Sequence, residues 1–221
     1  MKSTFFYDDN HIWINYPTLI NWKIEQRNLL DSIEKVDLIS MINSSIIIEL
    51  ATFIEGMVFE MQTEIFYTRI NSKTRFEVCV VEYFDKKLDG ATWANYVDFF
   101  EIIFGQKLSS KITPDVWKSI SLLFKFRNLL VHGNVIQIEY YTENAKTGAE
   151  CSSKFKPIFE YLKEKKLLDL TFTPQTNTVD LLNNNAINHF YKYSLKFLEE
   201  LFNHLPELAL LKKNFEDSIK T

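Results

Sequence analysis

Along most of the chain, apolar residues recur three and four positions apart, the period of a helix with one covered face. The pattern is clearest from Ser44 to about Tyr67, where Ile47, Leu50, Ala51, Ile54, Met57, Val58, Met61 and Ile65 share one arc. "NSS" at Asn43 to Ser45 offers capping side chains at its start. An earlier helix is expected from about Leu19 to Val36, because Pro17 argues against helix before it, with another beginning near Asp37. Residues 1–20 read as aromatic and irregular. Thr92 to Gly105 reads as a helix ended by glycine. "ITPDVW" marks a start, with Thr113 as cap, Pro114 at the first position and Asp115 favourable to the helix dipole. That helix is expected to run to His132 and to stop at Gly133.

Other stretches are less helical. Val135 to Thr142 alternates like a strand, half of a small hairpin, and Asn144 to Ser153 reads as a loop. "RFEVCVVEYF" (Arg75 to Phe84) fits a strand or a helix start equally well. Lys154 to Lys166 forms a short helix, "TFTPQTNT" a loop, and Val179 to His204 a last helix packed through Phe190, Leu195, Phe197, Leu198, Leu201 and Phe202. The amphipathic tail after Pro206 is expected to fray or to pack on a partner. The fold class that follows is mainly α: an up-and-down helical bundle with a small β excursion. It forms a single domain over 1–221, its core at about 40–205, with 1–40 and 206–221 packed on it or on a partner.

Composition agrees with long helices: 46% hydrophobic residues, 19 Phe, and only 5 Gly and 5 Pro. A net charge of −4 removes any bulk positive field, so contact with nucleic acid would need a local patch. Two cysteines, Cys79 and Cys151, fit neither a disulfide framework nor a zinc site. Acid arrives too early for a signal peptide, at Asp8 and Asp9. Glu49, Glu55 and Glu60 interrupt the most apolar stretch, Ile46 to Met61, so no membrane span is expected. A cytoplasmic protein is the expectation.

On an ideal wheel at about 100° per residue, Lys118, Ser121, Lys125, Asn128 and His132 fall in a stripe about 80° wide. Most of the remaining surface of this helix is apolar. Arg127 lies about 140° from His132, among Val116, Ile120, Leu123, Leu130 and Val131. A guanidinium keeps its charge, so burial there calls for a carboxylate or a phosphate. Glu55, set apart from Glu49, Glu60 and Glu64 on the preceding long helix, is the expected partner. Each feature also has a plain structural reading: an ion pair for Arg127, a favourable dipole contact for His132 at a helix end, and a solvated face for the lysines.

Arg127, Asn128 and His132, in "RNLLVHGN" near the end of a long helix, resemble the motif of the HEPN superfamily of helical ribonucleases and toxins. "FIEGMVFE" is similar to that family's acid-bearing helix, with Glu55 as supporting acid and Glu60 as the weaker candidate. The resemblance implies a HEPN-like bundle and a metal-independent endoribonuclease without cofactor, acting on RNA as a toxin or antiviral defence effector. It implies catalytic roles for Arg127, His132, Asn128 and Glu55, with Lys118, Ser121 and Lys125 along the substrate path. It also implies a homodimer with a composite cleft and an antitoxin or defence-system partner. The alternative is a non-catalytic HEPN-like module that dimerises or binds nucleotide, RNA or protein.

Overall fold

A computed structural model describes residues 16–31, 36–69, 74–88, 90–143, 146–168 and 181–219. They form α1 (Tyr16–Asp31), α2 (Val36–Arg69), α3 (Arg75–Leu88), α4 (Trp93–Phe104) and α5 (Pro114–Val131). A hairpin, β1 (Ile138–Glu143) and β2 (Lys146–Cys151), precedes α6 (Lys156–Glu164), α7 (Asn184–Asn203) and α8 (Ala209–Ser218). The described residues make a helical bundle with one two-stranded antiparallel sheet.

The bundle is organised around α2, on which α1, α4, α5 and α7 all pack. Ile46, Ile47, Leu50, Ala51, Ile54, Met57 and Val58 are fully covered along its length. Leu38–Phe66 is long and apolar enough to cross a membrane by length and composition. A helix at the centre of a bundle has the same composition, and here the apolar arc faces the neighbouring helices.

Several expectations are corrected. Pro17 lies inside the first turn of α1, where its missing N–H would have no intrahelical partner anyway. "NSS" does not begin a helix: Asn43, Ser44 and Ser45 sit within one continuous 34-residue α2. Their polar groups find other partners instead. Ser44 returns its hydroxyl to the Ser40 carbonyl at 2.9 Å. Buried Asn43 donates to the Leu182 carbonyl and to Asn184, tying α2 to the start of α7. Glu49 pairs with Lys23 of α1.

Residues 75–88 are helix, begun by a reciprocal cap in which the Thr74 amide donates to the Glu77 carboxylate at 2.8 Å and the Glu77 amide to the Thr74 hydroxyl at 3.2 Å. Phe84 anchors α3 between Phe66 and Phe99, with ring centroids 4.6 and 5.4 Å away. The expected loop at Asn144 to Ser153 contains β2, paired in register from Ile138 with Cys151 to Glu143 with Lys146. Gly148 leaves room there for the Tyr141 ring: a Cβ would meet it at 2.4 Å, and the exposed ring would have to swing aside. The tail after Pro206 packs on its own core, with Phe215 stacked on Phe53 and tilted on Phe202. The helix expected from Val179 begins at Asn184, where the Asn183 side chain accepts the Ala186 amide, and α8 follows it. "TFTPQTNT" and residues 1–15 lie outside the described residues.

Candidate functional site

The motif helix α5 begins as its sequence dictates, with Pro114 in the first turn after Thr113 and Asp115 beside it. Its floor is fixed by Val116, Ile120, Leu123 and Phe126, all fully buried. Phe126 meets Phe155 and Phe190 edge-on, and Phe124 stacks flat on Trp93 at 4.0 Å. Rotation of α5 about its axis is therefore restrained on both sides.

The helix ends through glycine. Gly133 takes φ +61°, its amide donating to the Leu130 carbonyl and the Asn134 amide to the Leu129 carbonyl, each at 3.0 Å. No atom lies within 4 Å of a Cβ built there. The penalty of Gly133→Ala is therefore conformational, about 1–2 kcal/mol, and the melting temperature should fall by a few degrees. An unchanged melting temperature would contradict this cap.

Ser121, Lys125, Asn128 and His132 line one open groove of about 650 Å³, together with Phe124, Leu129, Asn134 and Lys154. Four members of the stripe read from the wheel thus face one space. Lys118 does not: its ammonium is 3.1 Å from Glu164 and lies over the Tyr161 ring. His132 occupies the C-cap, exposed, with its amide bonded to the Asn128 carbonyl at 3.1 Å.

Arg127 and Glu55 lie outside the groove lining and connect to it at Asn128. The guanidinium donates through Nη1 to Asn128 Oδ1 at 2.9 Å and through Nη2 to Glu55 Oε2 at 3.2 Å. Long reach thus carries the cation from its own face of α5 to the polar stripe, one turn before His132. Burial raises the Glu55 carboxyl above its ordinary range, opposed by the Arg127 charge and the Trp93 amide. Burial also raises the Tyr96 phenol, with the Glu55 charge adding to it.

Arg127 is less buried than the wheel suggests, its side chain retaining 30% exposure. The deeply buried cation is Arg27 of α1, 1% exposed, which donates to Asn43 and Asn188. Sequence reading passed over it, although its spacing from Ile20 and Ile24, seven and three residues, puts it on their face. It braces α1 against α2 and α7. Asn134 and Lys154 were also passed over, and their place in the groove depends on the turn after α5 and on the hairpin.

A second polar cluster joins α5, α6 and α7. Asp115 binds Lys165 at 2.7 Å and accepts from the Tyr193 hydroxyl at 2.7 Å, while Tyr161 and His189 share a 2.9 Å hydrogen bond. Burial and the Lys165 charge lower the His189 pKa to about 4, partly opposed by Asp115. Between that value and the ordinary one of about 6.5, the unfolded chain binds the proton more readily. Stability should therefore be full above about pH 6.5 and decline as pH falls toward about 4. Urea midpoints at pH 7.5 and 5 should differ, with His189→Phe flattening the slope. Equal slopes in the two proteins would exclude His189 as the cause.

Fold and groove together define a helical bundle that opens a polar, cation-bearing cleft along one buried helix. Comparison with protein-family models, curated proteins and solved structures finds no match for the chain.

Proposed function

We propose that the protein is a metal-independent endoribonuclease that cleaves RNA by attack of a ribose 2′-hydroxyl, acting in the cytoplasm as a toxin or antiviral defence effector. One observation carries this reading: His132 and Asn128 face the same groove as Lys125 and Lys154, and Asn128 is bonded to Arg127. In the proposed reaction His132 accepts the 2′-hydroxyl proton as the 2′-oxygen attacks phosphorus. The bond to the 5′-oxygen breaks, that oxygen takes a proton from water, and a 2′,3′-cyclic phosphate remains. Arg127 and Lys125 offset charge on the phosphate oxygens. No step requires a metal or a cofactor.

The exposed position of His132 suits a two-fold homodimer in which a second copy completes the cleft, and an antitoxin or defence-system partner would restrain the activity. The test is cleavage of single-stranded or transfer RNA by purified protein in EDTA, with 2′,3′-cyclic phosphate ends on the products. Intact RNA at micromolar enzyme would end the proposal.

The Arg127–Glu55 pair favours a second reading. A guanidinium already held by a carboxylate and an amide has a sufficient structural role, as in a non-catalytic module that binds RNA or nucleotide through the same groove.

A further inference from the structure

We infer that the turn joining β2 to α6 forms the second wall of the groove, and that Lys154 on this turn binds a phosphate of single-stranded RNA opposite the stripe of α5. The inference rests on the nucleotide reading of the groove and adds a residue that no part of the Arg–His motif contains.

Placement of Lys154 is built, not incidental. Its turn is pinned at both ends by side chains in the core, Cys151 at 2% exposure and Phe155 at 0%. Phe155 rests edge-on against Phe126 of the motif helix, ring centroids 5.9 Å apart. Ser152 extends the pairing of the hairpin by donating to the Gln137 carbonyl at 3.2 Å. Ser153 closes the turn, its hydroxyl accepting the Phe155 amide and lying 3.2 Å from the Cys151 sulfur. Two buried anchors hold the backbone of the turn, and with it the root of the Lys154 side chain, beside the groove. The hairpin thereby gains a purpose: it returns the chain to the side of α5 from which His132 faces the groove.

Charge pairing sorts the lysines of this region. Lys118 is matched by Glu164 and Lys165 by Asp115, both on the α5–α6 surface. Lys125 and Lys154, which line the groove, have no carboxylate partner among the described residues, and no carboxylate lines the groove with them. Two unneutralised ammonium groups beside His132, Asn128 and Asn134 favour an anion, in a protein whose net charge is −4. Phe124 and Leu129 add a little apolar surface to the same lining. A phosphate flanked by a flat ring, the repeating unit of a single strand, matches that distribution.

The experiment measures binding apart from cleavage. A fluorescein-labelled single-stranded oligonucleotide with 2′-O-methyl sugars, which no 2′-hydroxyl chemistry can cut, is titrated by anisotropy over a range of salt concentrations. Lys154→Met should weaken binding about tenfold, the loss expected for one charge-assisted hydrogen bond. It should also make the dependence of log Kd on log salt shallower by about 0.7. Lys156→Met, exposed two residues away and outside the lining, should bind like wild type. With cleavable RNA, Lys154→Met should raise KM and leave kcat within about twofold. Equal binding by wild type and Lys154→Met, an equal loss in Lys156→Met, or no binding by wild type would each overturn the inference. Wild type that binds through Lys154 but leaves unmodified RNA intact would retain the wall and remove the nuclease. Cleavage indifferent to Lys154 would do the reverse.

Discussion

Replacing His132 with alanine is expected to lower RNA cleavage by roughly 10²–10⁴-fold, the contribution of a positioned general acid or base. Its folding should hardly change. The ring is exposed at a C-cap, where a protonated histidine adds about 0.3–1 kcal/mol through the helix dipole, and its backbone amide, which bonds Asn128, survives the substitution. Two measurements on one preparation decide the matter: initial cleavage rate in EDTA and thermal unfolding by circular dichroism. Loss of activity with an unchanged melting temperature assigns His132 to chemistry. A variant that melts normally and cuts as fast as wild type removes it from the site.

Arg127→Ala should lose both activity and stability. The substitution strands Glu55, whose side chain retains 16% exposure and whose carboxyl burial already pushes toward the neutral form. Breaking a fully buried pair costs about 3–5 kcal/mol; partial exposure of the guanidinium reduces this to about 1–3 kcal/mol. The double variant Glu55→Gln with Arg127→Ala separates the two roles. A neutral amide needs no counter-charge, so the double variant should melt above Arg127→Ala while cleavage stays absent. Recovery of cleavage along with stability would make the pair purely architectural and remove Arg127 and Glu55 from the catalytic residues.

Legibility in the sequence depended on the range of the interaction. The motif helix was readable because its proline, its polar stripe and its glycine stop are local, and α5 follows them; Thr113 holds the cap position, but its hydroxyl bonds Glu200 of α7 at 3.0 Å. The partnership of Glu55 with Arg127 was readable from two wheels, since each residue is the misplaced charge of its own helix. The unbroken α2 was not: Asn43 looks like a cap in one dimension, and its use for fastening α7 exists only in three. β2 was hidden because Lys, Gly, Ala and Glu have little strand preference, and pairing with β1 creates the strand. Lys154 was hidden for a related reason, because a hairpin had to carry it back before it could stand near His132.

The stacking of Phe215 on Phe53 has a bearing on folding order. A chain that has formed α2 and α7 leaves Phe53 and Phe202 without their last cover until α8 docks on them. Closure of this end of the bundle therefore waits for one short helix made late in the sequence.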